Sequence, residues 1–112
     1  MDFRDFWYVV AESRELKQGD VLARKLMGEW LAVFRDEDGK PAAVQDRCKH
    51  RAAQLSLGSV ENGCLRCPYH GWTYDKEGEV VEVPSEGENF KRAKSRRVQK
   101  YSTMEKDDYV YV

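Results

Sequence analysis

The 112-residue sequence lacks the long apolar runs of membrane and secreted proteins. No stretch approaches the roughly 18 consecutive apolar residues that a membrane-spanning helix needs. Residues 1–5 do not show the charged-then-apolar profile of a signal peptide. The length allows one small domain with a modest core and leaves no room for a second. We therefore expect a single domain over residues 1–112, with a cytoplasmic location as the default.

A strong net charge is also absent, since 19 lysine and arginine residues are balanced by 20 aspartate and glutamate residues, for a net charge of −1. A nearly neutral chain has no general attraction to nucleic acid or to a membrane surface, so neither is expected as a partner. The balance is uneven only locally, with acidic residues in 75–88 and basic residues in 91–97. We expect two solvated faces that partly neutralise each other, with a docking surface for a protein partner as the alternative.

Cysteine and histidine are scarce, with three cysteines and two histidines in the whole chain. An odd number of cysteines argues against a secreted disulfide framework and for a reducing compartment. Both histidines stand just after a cysteine, in a Cys-x-His motif that ends at His50 and a Cys-x-x-His motif that ends at His70. Cys64 is left outside these motifs, and we expect it to be a half-buried strand residue.

The two motifs predict a pair of metal-binding loops. Ligands two or three residues apart can point inward from one tight loop, so each loop can offer one sulfur and one nitrogen to a common centre. The thiolates of Cys48 and Cys67 would hold one iron, and the imidazoles of the two motifs, His50 and His70, would hold the other. This is the arrangement of a Rieske 2Fe-2S cluster, whose potential is roughly −150 to +300 mV. The sequence therefore predicts single-electron transfer.

Zinc is the alternative occupant of these loops. Cys64 and Cys67 form a Cys-x-x-Cys pair that could combine with Cys48 and one histidine in a tetrahedral site. Such a site would make the chain a zinc-stabilised binding module without a redox function. It would leave one of the two histidines unused, so we favour the iron-sulfur cluster.

Residues 46–58 and 67–72 resemble the two cluster-binding loops of Rieske proteins. His50 followed by Arg51, and the run over residues 69–72, are typical of the N-terminal Rieske domain of Rieske non-haem iron oxygenases. Respiratory Rieske proteins resemble each other in an extra cysteine in each loop, joined as a disulfide. Here Ala53 and residues 68–69 stand in the corresponding positions, so that disulfide cannot form. The resemblance implies a small antiparallel β-barrel or sandwich, with a cluster-binding part that covers about residues 46–84.

The resemblance also implies redox partners, a reductase as electron donor and an oxygenase or another protein as acceptor. Oxygenases of this kind carry out their chemistry at a separate iron held by two histidines and a carboxylate. Because His50 and His70 are both committed to the cluster, no catalytic residue is expected in this chain. Two contexts stay open: a ferredoxin-like component of an oxygenase system, or the Rieske domain of a ring-hydroxylating-type oxygenase whose catalytic iron domain is absent.

The alternation of short apolar runs and turn residues predicts an all-β fold. Turn signals such as Asp38-Gly39 and Asn62-Gly63 separate runs that are rich in β-branched and aromatic residues. One helical turn is expected within residues 11–16, and no longer helix. Strands are predicted at residues 7–10, 21–26, 29–34, 42–45, 59–60, 64–66, 73–74, 79–81, 97–101 and 109–112.

Four further residues near the motifs are expected to support the site. Gly58 and Gly71 stand where the backbone must turn sharply or approach the cluster closely, or they are simple turn glycines. Pro84 resembles part of the third loop that covers the cluster in this family, with a strand-ending proline as the equal alternative. Trp72 is expected to fill the core, and shielding of the cluster is the second interpretation.

Overall fold

The fold is built from short strands. The computed structural model describes residues 7–48, 53–68, 71–84 and 97–112. Within these ranges lie eleven strands and two 3-10 helices, Ser13–Glu15 and Leu55–Leu57. No helix in the described part of the chain is long and apolar enough to cross a membrane. The strands are β1 (Val9–Glu12), β2 (Val21–Leu26), β3 (Glu29–Arg35), β4 (Pro41–Gln45), β5 (Ser59–Glu61), β6 (Cys64–Arg66), β7 (Thr73–Tyr74), β8 (Val80–Glu82), β9 (Lys100–Tyr101), β10 (Met104–Lys106) and β11 (Tyr109–Tyr111).

The strands pair in three antiparallel sheets. The end sheet has the order β1-β11-β10, the central sheet β2-β3-β4-β9, and the loop sheet β5-β6-β7-β8. The loop sheet is a meander of consecutive strands, whereas the end sheet joins the beginning and the end of the described chain through the pairing of β1 with β11. These sheets confirm the predicted all-β antiparallel fold.

The middle strands of the central sheet, β3 and β4, are buried on both faces. Alternate residues of β3 point to opposite sides. Ala32 and Phe34 therefore pack toward the loop sheet, while Leu31 and Val33 pack toward the end sheet. Burial on both faces explains why this strand is an unbroken apolar run rather than an alternating one. The core between the central and loop sheets is the larger of the two, and it contains both motif cysteines.

Two turns of the same form end the β3–β4 and β7–β8 hairpins. In each turn an aspartate, Asp36 or Asp75, accepts hydrogen bonds at its Oδ1 from the backbone N–H groups two and four residues later, at 2.9 and 3.0 Å. A glycine with positive φ follows three residues after the aspartate, Gly39 (82°) and Gly78 (79°). The β3–β4 turn is the one that the Asp38-Gly39 signal predicts.

The β5–β6 turn fastens the loop sheet to the central sheet. Asn62 (φ 51°) and Gly63 (φ 75°) form this two-residue turn. Gly63 lies directly on the backbone of the β3–β4 turn, where a Cβ atom would overlap the nitrogen of Glu37. Lys76 adds an ion pair of 3.4 Å with Asp36. The loop sheet is thus fixed to the rest of the molecule at the end of β6 that lies opposite Cys67.

The first strand differs from its prediction. It begins at Val9 rather than at residue 7 and continues to Glu12, because it pairs with β11 through a bulge between Val9 and Ala11. The helical turn predicted within residues 11–16 is confirmed, but the strand limits it to Ser13–Glu15.

Further differences lie later in the chain. The strand predicted at residues 97–101 is reduced to Lys100–Tyr101, because Val98 donates its N–H to Gly78 of the loop sheet before the chain reaches β4. β8 lies one residue later than predicted, at Val80–Glu82. Neither β10 nor the 3-10 helix at Leu55–Leu57 is predicted by the sequence.

Candidate cluster-binding site

The two motif cysteines begin two loops that leave different sheets. Cys48 follows β4 of the central sheet, and Cys67 follows β6 of the loop sheet. Their exposed fractions are 1% and 4%, and both belong to the core between those sheets. The structure therefore brings the sulfur-bearing residues of both motifs into one buried region, although 18 residues separate them in the chain.

The same backbone hydrogen bond closes both loops. Cys48 donates its N–H to the carbonyl of Ala53 at 2.7 Å, and Cys67 donates its N–H to the carbonyl of Trp72 at 2.8 Å. In each case the acceptor follows the cysteine by five residues, so the two ends of each loop are adjacent. The predicted ligands His50 and His70 stand in sequence between those ends, but both lie outside the described residues.

Asp46 holds the two ends of the first loop together. Its carboxylate is 5% exposed and accepts two hydrogen bonds from Ser56, one from the backbone N–H at 2.7 Å and one from the hydroxyl at 2.6 Å. Its own N–H donates to the carbonyl of Trp30 in β3 at 3.0 Å. The carboxylate thereby ties together the chain before Cys48 and the 3-10 helix after the loop. Sequence reasoning missed this role, because the two partners are ten residues apart with no local signal.

The second loop is held by residues on its returning side. Gly71 has a φ of 73°, in the left-handed region that favours glycine. Its carbonyl accepts a hydrogen bond of 3.0 Å from the hydroxyl of Thr73. Trp72 is half-buried and packs against the larger core, as predicted. The ring of Pro84 lies beside Gly71, 3.1 Å from where a Cβ atom would stand, so this proline does reach the second loop.

Tyr74 links the loop sheet to the first loop. Its side chain is fully buried, and its hydroxyl lies 3.4 Å from the sulfur of Cys48. A thiolate has no proton to give, so in a metal-bound Cys48 the tyrosine must be the donor. A hydrogen bond to a ligand sulfur favours the more negative, reduced state of the metal centre and raises its potential. No local pattern in the sequence predicts this contact.

Cys64 lies on the other face of β6. Leu65 and Cys67 point into the larger core, whereas Cys64 and Arg66 alternate with them and are half-buried. Burial raises the pKa of the Cys64 thiol, and the carboxylates of Asp75 and Glu37 raise it further. Because the two sulfurs of the Cys-x-x-Cys pair face opposite sides of the strand, they do not form the knuckle on which the zinc alternative depends. No disulfide joins the three cysteines, all of which lie within the described residues.

Two residues of the acidic segment 75–88 form ion pairs in the described part of the chain. Glu77 forms an ion pair of 2.7 Å with Lys100, and Glu79 forms one of 3.3 Å with Arg97. The Glu79–Arg97 pair joins the acidic segment to the basic one, as expected of faces that partly neutralise each other. Residues 85–96, which carry the rest of both segments, lie outside the described part of the chain.

The described part of the site fits an iron-sulfur cluster. Thiolate sulfur is the ligand that such clusters use, and Cys48 and Cys67 supply two sulfurs that are shielded from water. A buried hydroxyl is placed to donate to one of them. The loops that these cysteines begin are closed at their base, and each contains one histidine in its sequence.

Residues 6–102 match the family described as the Rieske [2Fe-2S] domain, so the chain belongs to that family. Its cofactor is accordingly a Rieske-type 2Fe-2S cluster with cysteine and histidine ligands. The expectation drawn from the resemblance of the two motifs is confirmed at the level of family and cofactor.

Several of the similar proteins carry oxygenase names. The chain is 38% identical over 110 residues to the oxygenase subunit of 3-chlorobenzoate-3,4-dioxygenase from Comamonas testosteroni. This match covers 97% of this chain and 26% of the relative. It is 43% identical over 82 residues to the chloroplastic chlorophyllide a oxygenase of Arabidopsis thaliana, and this match covers 73% of this chain and 15% of the relative. A crystal structure of dicamba monooxygenase superposes with a TM-score of 0.87 at 39% identity, over 96% of this chain and 33% of its own. The chain thus spans a third or less of the length of these relatives.

Proposed function

We propose that the chain transfers single electrons through its cluster, with Cys48 and Cys67 as ligands of one iron and His50 and His70 as ligands of the other. The observation that carries the proposal is the pair of loops begun by buried cysteines and closed by the same hydrogen bond. Each loop contains the histidine that its motif predicts. When bound, the cluster supplies one-electron chemistry with a potential of roughly −150 to +300 mV.

The residues of the chain have three tasks in this function. Burial of Cys48 and Cys67 keeps water from the sulfur atoms. The closing hydrogen bonds and the carboxylate of Asp46 fix the loops, so that the ligands move little when the charge of the site changes. Tyr74 donates a hydrogen bond to one sulfur and stabilises added negative charge there.

The partners that we propose are redox proteins, a reductase as donor and an oxygenase as acceptor. The oxygenase names of the relatives support the acceptor. Nucleic acid and membrane are not proposed as partners, since the net charge is −1. We propose one domain over residues 1–112 and a cytoplasmic location. The half-buried thiol of Cys64 supports a reducing compartment, while the chloroplastic relatives make a plastid the competing location.

A specific observation favours one of the two contexts. The match extends over 96–97% of this chain in two oxygenases but over only 26–33% of their length. We therefore place the domain in an oxygenase whose catalytic iron is held by other residues, with the diffusing ferredoxin-like carrier as the second candidate. The coding sequence beyond Val112 decides between them. A continuing frame with two histidines and a carboxylate supports the oxygenase, and an immediate stop codon supports the carrier.

Metal analysis of three cysteine variants tests the proposed ligand set. Cys48→Ser and Cys67→Ser should lose most of the iron and acid-labile sulfide of the wild-type chain. Cys64→Ser is the matched control and should keep both, because its sulfur lies on the other face of β6. Loss of bound metal in Cys64→Ser, with zinc rather than iron in the wild-type chain, would establish the zinc module instead.

A further inference from the structure

Arg66 lies where the two cysteine loops come together. Gly58, which ends the 3-10 helix after the first loop, is packed so closely on the carbonyl of Arg66 that a Cβ atom would overlap it. Gly71, in the second loop, lies against the side chain of the same residue. A Cβ atom there would stand 2.9 Å from Nη2 and 3.1 Å from Nε of Arg66. Both glycines that the sequence singles out as sites of close approach therefore approach this arginine.

The guanidinium group of Arg66 is paired with an acidic residue of the neighbouring strand. Its Nη1 forms an ion pair of 3.2 Å with Glu61, the residue that begins the β5–β6 turn. The ring of Pro84 flanks the same point of the second loop, 3.1 Å from the position of a Gly71 Cβ atom. Arg66 directly precedes the proposed ligand Cys67, and the glycine that its side chain covers directly follows the proposed ligand His70.

We propose that Arg66 is a positioning residue of the cluster site, which holds a positive charge against the second loop and raises the reduction potential. The inference rests on the proposed function. Reduction adds one negative charge to the site, and a cation held nearby favours the state that carries the added charge. Glu61 counteracts part of this effect, because it brings a charge of the opposite sign to the same guanidinium group.

A merely structural role of Arg66 would change the stability of the fold, whereas the proposed charge effect changes the potential. The side chains of Arg66 and Glu61 are 39% and 55% exposed, and ion pairs of such exposure contribute little to stability. Loss of the arginine charge should therefore change the potential while the denaturant midpoint of unfolding stays close to that of the wild-type chain. Because the pair is in contact with solvent, the change in potential should shrink as salt is added.

A redox titration of the cluster-loaded chain, followed by EPR, tests the proposal with four variants. Arg66→Gln should lower the midpoint potential, and Arg66→Lys, which keeps the charge, should retain most of the wild-type value. Glu61→Gln should raise the potential, because it removes the opposing charge. Arg97→Gln is the matched control: this arginine is 48% exposed and paired with Glu79 at the far end of the β7–β8 hairpin. The midpoint potential of the Arg97→Gln chain should equal that of the wild-type chain.

Two results would overturn the role of Arg66 while leaving the proposed function intact. One is an Arg66→Gln chain with a full cluster and an unchanged potential, and the other is a lysine variant that behaves like the glutamine variant. If Arg66→Gln does not load a cluster, Glu61→Gln decides, since an unchanged or lowered potential there contradicts the charge effect. A wild-type chain that binds no iron and sulfide would instead remove the proposed function.

Discussion

Tyr74 brings a buried hydroxyl from β7 to the sulfur of Cys48, which follows a strand of a different sheet. A contact between two sheets at this point does two things, because it helps to fix the first loop and it places a donor on a ligand. Since the tyrosine is fully buried, no water competes for its hydroxyl.

Tyr74→Phe should lower the reduction potential of the cluster without preventing its assembly. Loss of a hydrogen bond of about 1 kcal/mol corresponds to about 40 mV for one electron. The measurement is a spectroscopic redox titration. Tyr101→Phe serves as the control, because the Tyr101 hydroxyl bonds to Glu29 at 2.6 Å and not to a cysteine. An equal shift in both variants would contradict a specific effect of the Cys48 contact.

Arg35 connects both ends of the described chain to the central sheet. Two of its nitrogens bond to the carboxylate oxygens of Glu105 in β10, at 3.0 and 2.8 Å. The remaining bonds go to the backbone carbonyls of Ser13, Leu16 and Gly39. The guanidinium of Arg35 lowers the pKa of Glu105 from 4.5 to about 2.

This ion pair predicts a pH dependence of stability. Because the folded-state pKa of Glu105 is depressed, the pair stabilises the fold above pH 4.5, and that stability is lost as the pH falls from about 4.5 toward 2. Glu105→Gln should therefore cost about 1–2 kcal/mol of unfolding free energy at pH 7, and the difference from wild type should narrow at pH 3. Urea unfolding of the variant and the wild-type chain at pH 7 and at pH 3 measures this difference. Glu79→Gln is the control: it removes an exposed ion pair and should change the unfolding free energy by less than about 0.5 kcal/mol. A pH-independent difference for Glu105→Gln would be contrary to this assignment.

At the scale of elements, the hairpin turns decide how the sheets meet. Gly63 and Gly28 both have positive φ values, 75° and 84°. A Cβ atom at Gly63 would overlap the backbone of Glu37, whereas one at Gly28 would meet nothing within 4 Å. The two glycines thus separate the cost of an unfavourable backbone conformation from the cost of a lost close approach between two sheets.

Gly63→Ala should be more destabilising than Gly28→Ala. The control variant carries only the conformational cost, about 1–2 kcal/mol, and Gly63→Ala adds the cost of overpacking, about 1–3 kcal/mol. Urea unfolding of the two variants measures the difference. Equal losses would mean that the β5–β6 turn does not fasten the loop sheet to the central sheet.

Much of this element structure could be predicted from the sequence, because the turns have local signals. Asp38-Gly39 and Asn62-Gly63 predict hairpins where the structure has them. The β10–β11 turn was missed because Asp107 (φ 52°) and Asp108 (φ 69°) adopt left-handed conformations without a glycine. The pairing of β1 with β11 was also missed, since the two strands come from opposite ends of the chain.

The sequence predicts which residues could hold the cluster, but not the contacts around them. Cys48 and Cys67 are predicted as ligands because each stands two or three residues from a histidine, and the structure places both in one buried core. The contacts that support them join residues distant in the chain, such as the Tyr74 hydroxyl and the Cys48 sulfur, 26 residues apart. Such pairs depend on how the sheets pack, which no local pattern specifies.

At the scale of the whole molecule, the proposed cysteine ligands of the cluster come from two sheets. The first cysteine loop leaves the central sheet and the second leaves the loop sheet, so a cluster bound by both cross-links them. Binding energy of this kind contributes to folding, and it acts where the ligands are. The end sheet lies on the other face of the central sheet, and within the described residues it packs in the smaller core, which contains neither motif cysteine.

Removal of the cluster should therefore loosen one side of the molecule. We expect amide hydrogen exchange to become tenfold faster or more, equivalent to about 1.4 kcal/mol, at the amides of Cys48 and Cys67 and in β5–β8. The amides of β11, which pair within the end sheet, should keep their protection and serve as the internal control. Hydrogen exchange of the cluster-loaded and iron-depleted chains makes the comparison, and a uniform change over all sheets would contradict it.

We propose that two cysteines and two histidines of this chain hold a redox-active 2Fe-2S cluster. An EPR spectrum of the anaerobically purified, dithionite-reduced protein, with iron, sulfide and zinc counted on the same sample, tests this proposal. We expect two irons and two sulfides per chain, and a signal whose average g value lies well below that of an all-cysteine cluster. An EPR-silent sample with one zinc per chain would contradict it.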